Sequence, residues 1–220
     1  IDIISASNKK IDFGVRNIHF PSMRPRHGLL GMFKKILALL ENCKDDIVFF
    51  TEHDVLYHPS HFDFVPPEKN VFYYNQNVWL LRLPDGHALH YDVNQLSGLC
   101  VYRETALVHI RERFKMAEEE FNRLEKLNLN EDEFTRHLNR YFRHTGYEPF
   151  THNRVDWPTK FKHETWKSEF PNVDIKHGGN ATGQRWNKDQ YRNQQLLINW
   201  TESENWTIPG WGENVLKSLQ

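Results

Sequence analysis

Asp46-Ile47-Val48-Phe49-Phe50-Thr51-Glu52-His53-Asp54 decides how the rest of this chain is read. Four apolar residues in a row, two β-branched and two aromatic, suit a buried strand. They run directly into an acidic pair, Glu52 and Asp54, where the strand should give way to a loop. Carboxylates at the carboxyl end of a buried parallel strand are well placed to hold a hard divalent cation and, through it, a phosphate-bearing ligand. A solvated loop would use the same residues, but the strand context favours the metal. His53 points the other way in the local alternation and reads as structural.

Upstream, Leu29, Met32, Phe33, Ile36, Leu37 and Leu40 recur at helical spacing, which predicts an amphipathic helix over 28–42. Before it, 1–5 and 15–20 read as two short strands around a turn. The order strand, strand, helix, strand favours an α/β layer with parallel strands. Downstream, 59–70 is Pro-containing loop. Residues 78–83 and 87–91 flank Pro84-Asp85-Gly86 as a hairpin, and 99–102 is a further strand. A charged helix spans 104–126, with Ala106, Leu107, Ile110, Phe114 and Phe121 on its apolar side. Glu131-Asp132 opens another helix, where acidic residues suit the dipole. Residues 145–170 read as irregular, 173–175 as a short strand, and 206–212 as a Trp/Gly/Pro-rich flap. No repeat is present, so one domain over 1–220 is the economical expectation.

Bulk properties narrow the function classes. Lys and Arg total 28 against 29 Asp and Glu, which disfavours a protein whose main work is neutralising a nucleic-acid backbone. No apolar run approaches a membrane span. Cys43 and Cys100 read as two reduced thiols, and the expected location is cytoplasmic. The sequons at Asn180, Asn199 and Asn205 read as coincidence in an Asn-rich chain. Trp186, Trp206 and Trp211 lie in polar surroundings. Exposed, such faces suit sugar rings and bases; buried, they simply pack.

Four other groups could carry chemistry. His177 ends a strand before two glycines, and a neutral imidazole there could complete a metal site with Asp54. Gln184-Arg185-Trp186 offers a planar fork for phosphate oxygens and a flat ring for a sugar or base. Glu131 or Asp132 could take a proton from an acceptor hydroxyl, or simply complement the helix dipole. Arg24-Pro25-Arg26-His27-Gly28 could hold an anion at a helix start, or be a solvated basic turn.

Taken in order, these pieces resemble the GT-A-fold glycosyltransferases, most nearly the broad family-two type, in a minimal or N-terminally shortened form. Glu52-His53-Asp54 is similar to the metal motif of that family. Ser97-Gly98-Leu99-Cys100-Val101-Tyr102-Arg103 matches its small-residue strand and Arg. Glu131-Asp132 matches the acidic pair that supplies its base, and Gln184-Arg185-Trp186 matches its late Arg-Trp loop. The resemblance spans roughly 1–190. It departs in having Glu at the first metal position, a contracted Gln-Arg-Trp element and a long gap from Asp132 to Arg185. The family's first strand and helix, which help hold the nucleobase, are absent or lie upstream of Ile1.

The resemblance implies a single GT-A-like, Rossmann-type α/β domain with a mostly parallel central sheet, a β-hairpin insertion and flanking helices. Residues 1–103 would be the nucleotide-sugar and metal half, and 104–220 the acceptor half with a C-terminal flap. It implies an inverting, hexosyltransferase-type enzyme that uses Mn2+ or Mg2+ and a UDP-sugar donor, with a carbohydrate or other hydroxyl acceptor. Asp54, Glu52 and His177 would be metal ligands. Arg24, His27, Glu52, Arg185 and Trp186 would bind the donor, and Asp132 with Glu131 would be catalytic. The alternatives are a non-catalytic carbohydrate- or nucleic-acid-binding module, and a glycosyltransferase acting on modified DNA bases.

Overall fold

The alternation in Asn172-Val173-Asp174-Ile175-Lys176 sends Val173 and Ile175 to one face of a sheet and Asp174 and Lys176 to the other. That strand anchors the part of the fold that matters for the site. The computed structural model describes residues 2–21, 28–145, 162–176 and 185–219. The chain is mixed α/β and divides into two compact units, residues 1–46 with 102–148 and residues 47–101 with 149–220. Each unit draws on both halves of the sequence.

In the first unit, β1 (Ile4–Ser7) and β2 (Arg16–His19) pair in parallel, with Ile4 opposite Arg16 and Ser7 opposite His19. The short connection between them therefore does not close an antiparallel hairpin. Asn17 Nδ2 ties the pair by donating to Ser5 Oγ (2.8 Å) and Ser7 Oγ (3.0 Å). Helix α1 (Gly28–Asn42) has the bounds its periodicity predicts and packs on α2 (Arg103–Glu125), which also packs on α3 (Glu131–Thr145). Phe33, Ile36, Leu40, Ala106, Leu107, Ile110 and Phe121 are buried. Phe121 meets Phe134 edge to face at 5.0 Å.

The second unit holds two mixed sheets. One runs β3 (Ile47–Phe49), β8 (Leu99–Tyr102), β5 (Val71–Asn75), β9 (Lys162–Trp166). The other runs β11 (Thr201–Ser203), β7 (Ala88–His90), β6 (Val78–Arg82), β10 (Asn172–Lys176), β4 (Val55–Leu56). Parallel pairs are β5–β9 and β10–β6; β5–β8, β6–β7, β11–β7 and β10–β4 are antiparallel. Among the described residues, then, antiparallel pairing is as prominent as parallel. β3 is an edge strand and half-buried. Arg103 N donates to Asp46 O and Phe50 N to Leu99 O, so β3 runs antiparallel to β8 rather than as a buried parallel strand.

β5 escapes sequence alternation because all five of its residues are buried. β9 escapes because it is a polar edge strand whose place is set by its pairing with β5. The 206–212 segment is no loose flap. Trp206 and Ile208 are buried in a cluster with Trp79, Leu81, Ala88, Val173 and Leu216, on the sheet face opposite Asp174. Trp211 packs against that cluster and donates from Nε1 to Pro171 O (2.8 Å). Gly86, at φ 73°, lets the hairpin turn pass the Trp206 indole, which a Cβ there would meet at 2.5 Å. Short helix α4 (Glu213–Lys217) follows and buries Leu216. Cys100 is buried and Cys43 half-buried, and neither forms a disulfide. Among the described residues no helix is long and apolar enough to cross a membrane.

Candidate functional site

The acidic loop connects the two sheets of the second unit, from the end of β3 to the start of β4. Its position is held by Tyr57, whose hydroxyl accepts from Glu52 N (2.9 Å) and donates to Ser97 O (3.1 Å). The Ser97-Gly98 turn can approach β5 because Gly98 has no side chain: a Cβ there would lie 2.8 Å from Asn75 O. Burial raises the Tyr57 phenol well above its ordinary value, so it stays a neutral hydroxyl able to make both bonds.

On the other side of the loop, β4 pairs with β10, Val55 opposite Asp174, and Ile175 N donates to Asp54 O (2.8 Å). This brings a third carboxylate, Asp174, to the loop. Partial desolvation, then the like charges of Asp54 and Asp174, raise the Glu52 carboxyl above its ordinary value; Lys176 and His53 act in the opposite direction. Asp174 itself is buried and salt-bridged to Lys176 at 2.6 Å. Glu52 itself is exposed, and the ion pair the geometry shows beside the loop is that of Asp174 with Lys176.

Strand register extends this neighbourhood across the sheet. Val55, Asp174, Leu80, Leu89 and Glu202 are consecutive cross-strand partners and so face one side. Trp186 packs on that same face, against Leu80 and Leu89, with Tyr91 and Trp200 beside it. It is a buried packing residue and not an exposed platform: Arg82 lies 5.0 Å over its ring and His87 meets its edge at 5.8 Å. Arg185 is exposed and stacks over Tyr191 at 5.3 Å. Tyr91 and Trp200 are stacked at 5.8 Å, and burial is the main cause that raises the Tyr91 phenol, with Tyr191 and Asp174 adding to it and Arg185 opposing.

The structure thus brings Glu52, Asp54, Arg185 and Trp186 to one unit, with Trp186 on the sheet face that carries Asp174. His177, Gln184, Arg24 and His27 lie outside the described residues; His177 directly follows β10. Glu131 and Asp132 belong to the first unit, in the first turn of α3. That turn has a capping box: Glu133 N donates to Asn130 Oδ1 (2.9 Å) and Asn130 N to Glu133 Oε2 (3.2 Å). Of the acidic run, Glu133 is the residue that makes this helix cap. Asp174, Lys176 and Tyr57 were not singled out from the sequence. The available signal was a carboxylate set between two β-branched residues in a short strand, Val173-Asp174-Ile175.

No protein-family model, no curated protein and no solved structure matches this chain.

Chemically, a cation bridging protein and diphosphate needs only one or two protein carboxylates. Glu52 and Asp54 are two carboxylates on one loop, while Asp174 is already paired with Lys176. Among the described residues no set of three or more His, Cys, Asp or Glu side chains is arranged to hold a metal ion by itself.

Proposed function

We propose that this chain is a metal-dependent glycosyltransferase of GT-A type, moving a sugar from a nucleoside-diphosphate donor, with a UDP-sugar as the first candidate, to a hydroxyl acceptor. The observation that carries the reading is the pairing of β4 with β10, which lays the loop bearing Glu52 and Asp54 against the strand bearing Asp174. The parallel pairs β10–β6 and β5–β9, one in each sheet, are the features of the second unit in keeping with an α/β fold. Asp54 and Glu52 are the residues that would hold Mn2+ or Mg2+, with His177 next after β10. When bound, such a cation neutralises the leaving nucleoside diphosphate as the glycosidic C–O bond breaks.

The chain's own residues do the remaining work. Tyr57 ties the backbone of the acidic loop to Ser97, which braces the loop without help from the ligand. Arg185, exposed and stacked on Tyr191, supplies positive charge for phosphate oxygens. Trp186 supports the face beneath it rather than covering a ligand.

Thermal-shift measurements with UDP, with and without Mn2+, test the proposal by ligand linkage. UDP should raise the melting temperature only when Mn2+ is present, and Asp54→Ala should abolish the effect. Stabilisation that survives both EDTA and Asp54→Ala would sink the metal mechanism. No stabilisation by any nucleoside diphosphate would sink the donor site. The half-buried Tyr91, Tyr191 and Trp200 group favours a second reading, a carbohydrate-binding module without catalysis. It calls for metal-independent sugar binding and no nucleotide affinity.

A further inference from the structure

We infer that His87 is a proton-operated latch: a second ring proton, taken up at Nε2, closes a bond to Glu202 and fastens edge strand β11, with the Trp200 indole, to the rest of its sheet. The inference is independent of the glycosyltransferase reading and concerns a buried titratable group which that reading does not use.

His87 directly precedes β7 and faces the side of the sheet that carries Leu89, two residues on. Its side chain is 6% exposed and lies between two glutamates from β11 and the turn after it. Nδ1 is 2.7 Å from Glu204 Oε1, and Nε2 is 3.8 Å from Glu202 Oε2. A carboxylate oxygen only accepts, so the proton of the neutral ring sits on Nδ1. Nε2 then carries a lone pair, buried and without a hydrogen-bond partner among the described residues, beside a second acceptor. The neutral ring therefore holds one glutamate of the two. An imidazolium donates from both nitrogens and holds both. The gap left at Glu202 is 3.8 Å, against about 2.8 Å for a charge-assisted bond, and its side chain is 42% exposed, with room to close it.

The other charges around the ring come from β6 and the hairpin turn. Arg82, whose N donates to His87 O (2.9 Å), has its guanidinium over Trp186 and in a bidentate pair with Asp85. Asp85 Oδ1 also accepts from His87 N (3.2 Å). Trp186 meets the imidazole at 5.8 Å and brings no charge. The imidazolium would thus face three carboxylates and one guanidinium, and Asp85 already neutralises the guanidinium.

What the latch holds follows from the strand order. β11 is three residues long, lies at the edge of its sheet and pairs, among the described residues, with β7 alone. So short an edge ladder is weak by itself, and one added side-chain bond counts. Glu202 is its central residue, and the other carboxylate oxygen, Oε1, accepts from Trp200 Nε1 (2.7 Å). Trp200 stacks on Tyr91 and meets Tyr191 at 5.6 Å. One proton at His87 therefore bears on the strand, the indole and the aromatic group beside it.

The test is NMR of the whole chain from about pH 5.5 to 8. It follows the His87 ring, the Trp200 indole N–H and amide exchange in β11, corrected for the intrinsic pH dependence of exchange. Wild type, Glu202→Gln and His87→Gln are compared, with circular-dichroism melts to establish folding. Glu202→Gln keeps an oxygen for Trp200 but removes the charge the imidazolium would meet, and it decides the matter should His87→Gln fail to fold. In wild type the Trp200 indole should shift with the same midpoint as His87, and β11 amides should exchange roughly tenfold more slowly in the protonated form. That slowing should be absent from both variants. A His87 ring that takes up no proton in this range, a Trp200 indole or β11 that does not follow its titration, or slowing that persists in either variant would each overturn the latch.

Discussion

Acidification should destabilise the second unit through one buried imidazole, His61. The ring is fully buried, and its Nδ1 lies 2.9 Å from Asn75 Nδ2 and 3.0 Å from Asn172 Nδ2. Both amides are oriented by other bonds. Asn75 Oδ1 accepts from Asn77 N (2.9 Å), and Asn172 Oδ1 accepts from His58 N (3.3 Å). Both Nδ2 groups are therefore donors, Nδ1 is an acceptor, and the ring proton sits on Nε2. A second proton, on Nδ1, would face two N–H donors in a desolvated site. Burial accordingly lowers the His61 pKa from 6.5 to about 4.

The sign follows from which state takes the proton first. Below pH 6.5 the unfolded chain protonates this histidine while the folded chain resists until about pH 4. Stability therefore falls as pH drops through that window, and His61 adds no further loss below it. The full gap corresponds to roughly 3 kcal/mol, a large share of the margin of an ordinary domain. Urea unfolding followed by tryptophan fluorescence at pH 7, 5.5 and 4 would measure it, with His61→Gln as the comparison. The other histidines and the carboxylates are common to both proteins and cancel. Wild type should lose roughly 3 kcal/mol more than the variant between pH 7 and 4. Equal pH dependence, or an NMR titration of the His61 ring near pH 6.5 in the folded protein, would refute the argument.

Three further outcomes follow from packing and hydrogen bonding. Gly86→Ala should cost about 2–4 kcal/mol in chemical denaturation, because φ is 73° and the new Cβ would strike Trp206; a loss below about 0.5 kcal/mol would contradict the close approach. Tyr57→Phe should cost about 1–2 kcal/mol by removing the bridge between Glu52 N and Ser97 O. It should also weaken Mn2+-dependent UDP binding, and unchanged affinity would show that the brace does not serve the loop. Asn130→Ala should destabilise by about 1 kcal/mol through loss of the α3 capping box. Asp132→Asn in the same turn should cost under about 1 kcal/mol; a hundredfold fall in transfer activity with unchanged stability would assign Asp132 the role of base.

Much of the fold was legible wherever local periodicity and burial agree. α1 has one continuous apolar stripe, and Gly28–Asn42 is where that stripe begins and ends. The hairpin around Pro84-Asp85-Gly86 is set by a turn that only a residue tolerant of positive φ completes. Of the candidate site, Glu52 and Asp54 were legible because an apolar run ends in acidic residues. The aromatics were harder to read. A Trp in polar sequence surroundings is buried or exposed according to what the rest of the chain lays against it, and Trp186 and Trp206 are both covered.

By itself, then, the sequence determined the helices, the hairpin and the acidic loop, all features whose interactions are made within a few residues. Only the tertiary structure decided the mixed sheets, the burial of His61, and the pairing that lays the strand of Asp174 and Lys176 against the end of the acidic loop. Strand order and direction depend on pairings between segments far apart in the chain, more than a hundred residues in the case of Val55 with Asp174. A carboxylate's neighbours across such a ladder leave no local pattern, because register rather than spacing along the chain brings the charges together.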